Sequence, residues 1–220
     1  MRPFSRPFSN VSIAAATLVA LLCGAWLLHR GTETHAPPQP SAAQARTDRP
    51  ATGRPATDRS AAALPYVPPD RVRIPSIRVD APLMGLGLTP RGGLDVPPAA
   101  RKNLAGWYEA GTAPGGTGTA IVAGHVDNAE GPAVFYRLGA LKKGSTVEIG
   151  RRDGSTALFS VDAVEVYDSR GFPDEKVYGA AGRPELRVIT CGGGWSAVTG
   201  YRGNVVVFAH LTGSRPGTRR

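Results

Sequence analysis

Between residue 68 and residue 213 the chain holds one cysteine, Cys191, and two histidines, His125 and His210. Cys191 follows the apolar run LRVIT and precedes three glycines, Gly192 to Gly194, so it is expected where a strand stops and the backbone opens. His125 follows TAIVAG in the same way, with Asp127 two residues later. Two strand ends, one offering imidazole and the other thiol, are what a Cys/His nucleophilic site requires: the imidazole raises the thiolate fraction and later protonates a leaving amine. Arg202 lies in GYRGNVVVFA, just before the last apolar run. A tight loop after Cys191 would return that guanidinium beside the thiol, where it could donate to a carbonyl oxygen gaining charge, or it could be a surface arginine of a polar loop. His210, at the far end of the VVFAH run, reads as a strand-end residue.

Other chemistries find less support. There is no His/Cys/Asp/Glu cluster with metal-ligand spacing, and GTAPGGTGT lacks the lysine of a phosphate loop. Only two cysteines occur, with no C-x-x-C pair, which excludes a disulfide scaffold or zinc ribbon. The formal charge of +9 is concentrated at the ends of the chain: residues 71–213 carry 16 basic and 13 acidic groups. No basic and aromatic stripe accompanies the charge, so no nucleic-acid partner is expected.

The elements that must position these residues follow from the pattern of apolar runs. Short stretches rich in β-branched residues recur at Val72 to Val79, Thr119 to Ala123, Ser145 to Ile149, Thr156 to Tyr167, Glu185 to Thr190 and Asn204 to His210, separated by Gly, Pro and Asp. Gly131 to Leu141 could form one short helix. Many short strands in a region of ordinary single-domain size predict an antiparallel barrel or sandwich.

Ahead of that domain the sequence changes character. Val11 to Leu28 runs 18 residues without a charge, about the minimum for a spanning helix. Arg2 and Arg6 precede it, which predicts a transmembrane signal anchor at 11–28, a cytoplasmic N-terminus at 1–10 and an external remainder. Of residues 31–70, 24 are Pro, Ala, Thr or Ser, and RPAT occurs twice. Such a segment is expected to remain a disordered linker, assigned to 29–67, that gives reach from the membrane. A basic tail, 214–220, ends the chain.

Three motifs in this order, TAIVAGHVD with His125, RVITCGGG with Cys191 and YRGNVVVFAH with Arg202, resemble the sortase family, and the likeness runs from about Arg71 to Leu211. The Cys-Gly-Gly after Thr190 and the His-x-Asp element are most similar to the actinobacterial class F group, with class E next. The resemblance implies an all-β fold, a closed eight-stranded β-barrel with short helices, acting as a cysteine transpeptidase at the outer face of a membrane. It implies that Cys191 attacks the Thr-Gly carbonyl of a Leu-Pro-x-Thr-Gly-like sorting signal on a surface protein and forms a thioester. His125 would be general acid and base, Arg202 would hold the oxyanion, and Thr190 and Gly192 would contact substrate. Asp127 would orient His125 in a secondary role. The acceptor would be an amine of a peptidoglycan precursor. No cofactor or metal is expected, since no acidic cluster builds a calcium site. The rival cell-wall L,D-transpeptidases carry a Ser-x-Gly-Cys-like context that Ile-Thr-Cys-Gly does not match.

Overall fold

The computed structural model describes residues 36–46 and 61–217. Eight strands close a barrel in the order β1 (Pro69–Ile74), β2 (Val79–Leu86), β3 (Ala105–Tyr108), β4 (Gly118–Gly124), β9 (Pro184–Ser196), β10 (Gly200–Arg215), β8 (Thr156–Asp168) and β7 (Thr146–Arg151). The β2–β3 and β4–β9 pairs are parallel and the remaining pairs antiparallel. Two short strands, β5 (Asp127–Asn128) and β6 (Gly131–Pro132), form a ribbon of their own. One helix, α1 (Asp174–Tyr178), lies between β8 and β9.

Alternation sets the core. Val72 and Ile74 of β1, Val147 and Ile149 of β7, Leu186 and Val188 of β9, and Val205 and Val207 of β10 point inward with Phe135, Phe159 and Leu138. β8 changes phase on the way: Phe208 pairs with Ala163 but Ala209 pairs with Val161, so a bulge falls at Asp162. Val161 and Val164 therefore both enter the core, while Ala163 joins a second apolar cluster on the barrel's outer face with Val177, Ile189, Val206 and Phe208.

Several expectations need correction. The run Val72 to Val79 is two strands, because Pro75 starts a 3-10 turn, Pro75–Ile77, and Arg78 closes it in a left-handed conformation. Gly131 to Leu141 is not a helix: its β6 ribbon and a 3-10 turn, Leu138–Ala140, pack Phe135 and Leu138 into the core. β3 and α1 carried no sequence pattern strong enough to anticipate. β10 takes in Ser214 and Arg215 of the segment read as a basic tail.

The segment read as disordered linker contributes two packed stretches. Ala61 N–H bonds the Leu211 carbonyl (3.0 Å) and Leu64 N–H the Gly115 carbonyl (2.8 Å), while Ala61 and Leu64 pack on the core. The buried Arg151 guanidinium holds the Pro65 carbonyl and Ser155 Oγ. Earlier, residues 37–46 lie against β8 and β10. Arg46 N–H donates to Glu165 Oε1 (2.7 Å), and Lys143 binds Gln44 Oε1 through its N–H (2.8 Å) and the Ala45 carbonyl through Nζ (2.6 Å). A Cβ on Gly139 would stand 2.0 Å from the Pro38 carbonyl oxygen, so only glycine admits this approach. Composition missed both stretches because they are held by backbone bonds and prolines, which leave no apolar periodicity. Among the described residues no helix is long and apolar enough to cross a membrane; the anchor expected at 11–28 lies outside them.

Candidate active site

The β4–β9 register builds the site. Ala123 is level with Ile189 in this parallel pair, and two residues further along each chain stand His125 and Cys191. Both follow residues on the outer side of the barrel, Ile121 and Ala123 on β4 and Ile189 on β9, so alternation keeps them on that face. Thr190 fastens the two strand ends together: its hydroxyl donates to the Gly124 carbonyl at 2.8 Å.

That bond also commits the Thr190 side chain, which is buried with its hydroxyl spent on β4. Gly192 faces the interior as well. A Cβ there would come 2.6 Å from Val205 Cγ2, so glycine lets β9 and β10 close over the core. Any contact of these two residues with a ligand is therefore made by backbone.

The strand does not stop at Cys191. β9 continues to Ser196 and hairpins into β10 at Gly200, with Asn204 opposite Cys191. The pleat is broken instead of ended: Gly193 (φ 75°) and Gly194 (φ 87°) take left-handed conformations, and the β9–β10 register shifts between Tyr201 and Gly203. Arg202 falls in that irregularity and folds back, with Nε donating to the Gly193 carbonyl at 3.3 Å. Its own carbonyl accepts from Ser169 Oγ (2.9 Å). The guanidinium thus lies along the two residues that follow Cys191's immediate neighbour.

Cys191 is exposed and unpaired by any disulfide. Burial of its surroundings, and after it the negative charge of Asp127, push the thiol above its ordinary pKa. Asp127 has a different partner from the one expected. Its carboxylate accepts a hydrogen bond from the Tyr201 hydroxyl, and that phenol is raised by burial and by the bond to Asp127. His125 is held by Pro97, whose carbonyl lies 2.7 Å from Nε2. A carbonyl only accepts, so Nε2 carries the hydrogen and Nδ1 is the atom left to exchange a proton. His210 is apart from this cluster, its Nδ1 2.7 Å from Asp162 Oδ1 beside the β8 bulge.

Tyr201 and Pro97 were missed in the sequence. Tyr201 adjoins Arg202, but only the register shift shows that the tyrosine reaches Asp127. Pro97 lies 28 residues before His125 in a loop without periodicity.

The family profile of the sortase domain matches residues 72–212. The chain belongs to the sortase family. Solved structures share the fold at low identity. Sortase A of Listeria monocytogenes superposes with a TM-score of 0.53 at 16% identity, covering 70% of this chain and 93% of its own. A lid mutant of sortase A from Corynebacterium diphtheriae gives 0.52 at 21% identity over 68% and 73%. The SrtA sortase of Actinomyces oris gives 0.52 at 18% identity over 72% and 89%. Among curated proteins nothing matches this sequence. Sortases are generally cysteine transpeptidases, and in this member the barrel brings His125, Cys191 and Arg202 to one end of the β4–β9–β10 face.

Proposed function

We propose that this sortase-family chain is a cysteine transpeptidase that cleaves a Leu-Pro-x-Thr-Gly-like sorting signal between Thr and Gly. The observation that carries this reading is the parallel β4–β9 register, which sets His125 level with the only cysteine among the described residues. The raised thiol rests protonated, so attack begins as His125 Nδ1 takes the proton and Sγ bonds the Thr carbonyl carbon. Arg202, braced on the Gly193 carbonyl, donates toward the oxygen that gains charge. Collapse breaks the C–N bond, and the imidazolium gives its proton to the departing Gly amine. An amine of a peptidoglycan precursor then attacks the thioester and frees the thiol.

Asp127 acts on the thiol by its field and is itself fixed by Tyr201, and His125 takes its orientation from Pro97. The Cys-Gly-Gly after Thr190 and the His-x-Asp element support a place in class F. Val11 to Leu28, with Arg2 and Arg6 before it, supports a single-pass anchor with the barrel outside the cell membrane of a Gram-positive organism. The substrates would be sorting-signal-bearing surface proteins.

The test incubates the full-length chain with a Leu-Pro-x-Thr-Gly peptide and triglycine and reads the products by mass spectrometry, with Cys191→Ala alongside. A ligated product that vanishes in the variant is expected. Absence of ligation, hydrolysis and thioester across a small panel of signals and amines would overturn the transpeptidase and leave a barrel that only binds envelope peptides.

A further inference from the structure

The outer face that carries His125 and Cys191 continues through Ala123 and Ile189 to Ile121, which lines a cleft of about 540 Å³. Leu88, Leu94 and Tyr108 also line it, and α1 closes it with Asp174 and Tyr178, one turn apart and so on one side of the helix. On the transpeptidase reading, a peptide whose carbonyl lies at Cys191 extends onto this surface.

The position of α1 has to come from what grips it, because five residues are too few to hold a helix in water. Val177 is buried in the outer apolar cluster with Phe208 and Ile189. Thr119 of β4 donates to the Gly179 carbonyl at 2.7 Å. Lys176, two residues from Asp174 and so turned away from the cleft, donates to Glu165 Oε2 at 2.8 Å.

Glu165 belongs to the Pro37–Arg46 segment as much as to α1. Its Oε1 accepts from Arg46 N–H at 2.7 Å, and the Tyr167 hydroxyl bonds the oxygen that faces Lys176. The Arg46 guanidinium and Lys176 Nζ also stand over the same Phe208 ring, 5.1 and 5.7 Å from its centroid. Ring contacts then run from Phe208 to Tyr167 (6.5 Å), from Tyr167 to Phe172 (5.8 Å) and from Phe172 to Tyr178 (5.6 Å) at the cleft. Contact from residue 46 to the cleft is therefore continuous, along one line by hydrogen bonds and along another by packed rings. At its other end the segment is held by Gly139, whose lack of a Cβ makes room for the Pro38 carbonyl, and by Lys143.

We infer that residues 37–46 are a strap that positions α1 through Glu165, so that docking of the strap sets the shape of the apolar cleft and with it the KM for the acyl donor. Glu165 is then a positioning residue: it acts through Lys176 and Arg46. The chemical step is spared when the strap is released, because β4, β9 and β10 place His125, Cys191 and Arg202 without α1. The effect on KM rests on the transpeptidase reading, whereas the strap's hold on α1 does not.

The test has two arms on the full-length chain in detergent micelles, and both use Gly139→Ala/Lys143→Ala, which alters neither Glu165 nor α1. Gly139 lies outside the left-handed region, so alanine fits its backbone, and the atoms its Cβ would meet all belong to Pro38 and Pro40. In the first arm, hydrogen exchange is followed at the strap, at the Val177 and Gly179 amides of α1, and at Val205 to Val207 of β10. The variant exchanges faster at the strap and roughly tenfold faster at α1, with β10 unchanged as the sign of an intact barrel. A freed strap with α1 unchanged overturns the coupling. A strap that stays protected overturns the attachment through Gly139 and Lys143, and the inference with it. Lys143→Arg alone, which keeps a donor for the Ala45 carbonyl, exchanges like the native chain.

In the second arm, steady-state kinetics are measured with a Leu-Pro-x-Thr-Gly peptide and triglycine. KM for the peptide rises roughly threefold to tenfold in the variant while kcat stays within about twofold. Lys176→Met breaks the same tie from the α1 side and raises KM likewise, and combining it with the strap variant adds little, since both act through Glu165. An unchanged KM, a loss confined to kcat, or effects that simply multiply would overturn the strap's role in donor binding. If the native chain forms no thioester, the transpeptidase reading falls and the effect on KM with it, while the exchange arm still decides whether the strap positions α1.

Discussion

The outer face of β8, β9 and β10 is built in two ways along its length. At the Arg187 end nearly everything is partnered. Phe208 is buried beneath three cations, with Arg187 at 4.6 Å from the ring centroid, Arg46 at 5.1 Å and Lys176 at 5.7 Å, and Glu165 receives bonds from Arg46 N–H, Tyr167 and Lys176. At the Cys191 end the same strands carry an exposed thiol, glycines at positive φ, a register shift and, beyond them, Trp195 with 63% of its surface free. Regular pairing and a covered surface give way within four residues of β9. The fold thus concentrates packing where no ligand must enter and leaves irregular backbone where one must.

The largest test of this contrast is Phe208→Ala. It removes a fully buried ring and the surface on which the three cations stack, so a loss of about 3–5 kcal/mol is expected in denaturant unfolding. The rate of thiol alkylation at Cys191, measured well below the unfolding transition, should be unchanged. A variant that keeps its stability, or one that changes thiol reactivity while folded, would show that the two ends are not separate.

Much of the barrel is legible because its strands obey a period of two: apart from Ser145, five of the six apolar runs each fall in a single strand, and the three motif residues land on one face. What stayed hidden has local causes. Pro75 and a left-handed Arg78 split a run that looks continuous, and the bulge at Asp162 changes the face of half a strand without any breaker residue. Thr190 and Gly192 adjoin the nucleophile in sequence yet alternate away from it, so adjacency did not show that the Thr190 hydroxyl is spent on β4. Asp127 finds Tyr201 only through a register shift at the far strand, and residues 37–46 dock through backbone and charge, signals that a composition count averages away.

Glu165→Gln probes the closed end by pH. Burial opposes the ionised carboxylate, but the bonds from Lys176, Tyr167 and Arg46 outweigh it and hold the group below its ordinary value of 4.5. A pKa lowered by folding stabilises the fold fully above the unfolded value, and that contribution fades as pH falls through the folded value. The variant should lose about 1 kcal/mol at neutral pH, with a flatter stability curve below pH 4.5. Urea midpoints from neutral pH downward check both; a curve parallel to the native one would assign the acid sensitivity to other carboxylates.

Asp127→Asn is the gentlest change and bears on the open end. Asn can still accept from the Tyr201 hydroxyl, so the loop geometry is kept while the negative charge facing the thiol is removed. Because that charge is the second cause, after burial, of the raised thiol, its removal lowers the pKa and enlarges the thiolate fraction at any given pH. Iodoacetamide alkylation of Cys191 should become a few-fold faster near neutrality, with the midpoint of the rate profile moved to lower pH. Tyr201→Phe separates charge from hydrogen bonding: it deletes the bond but keeps the carboxylate, so its midpoint should stay at or above the native position. If Asp127→Asn leaves the profile in place while Tyr201→Phe moves it, the tyrosine's positioning of the hairpin, and not the carboxylate's field, governs the nucleophile.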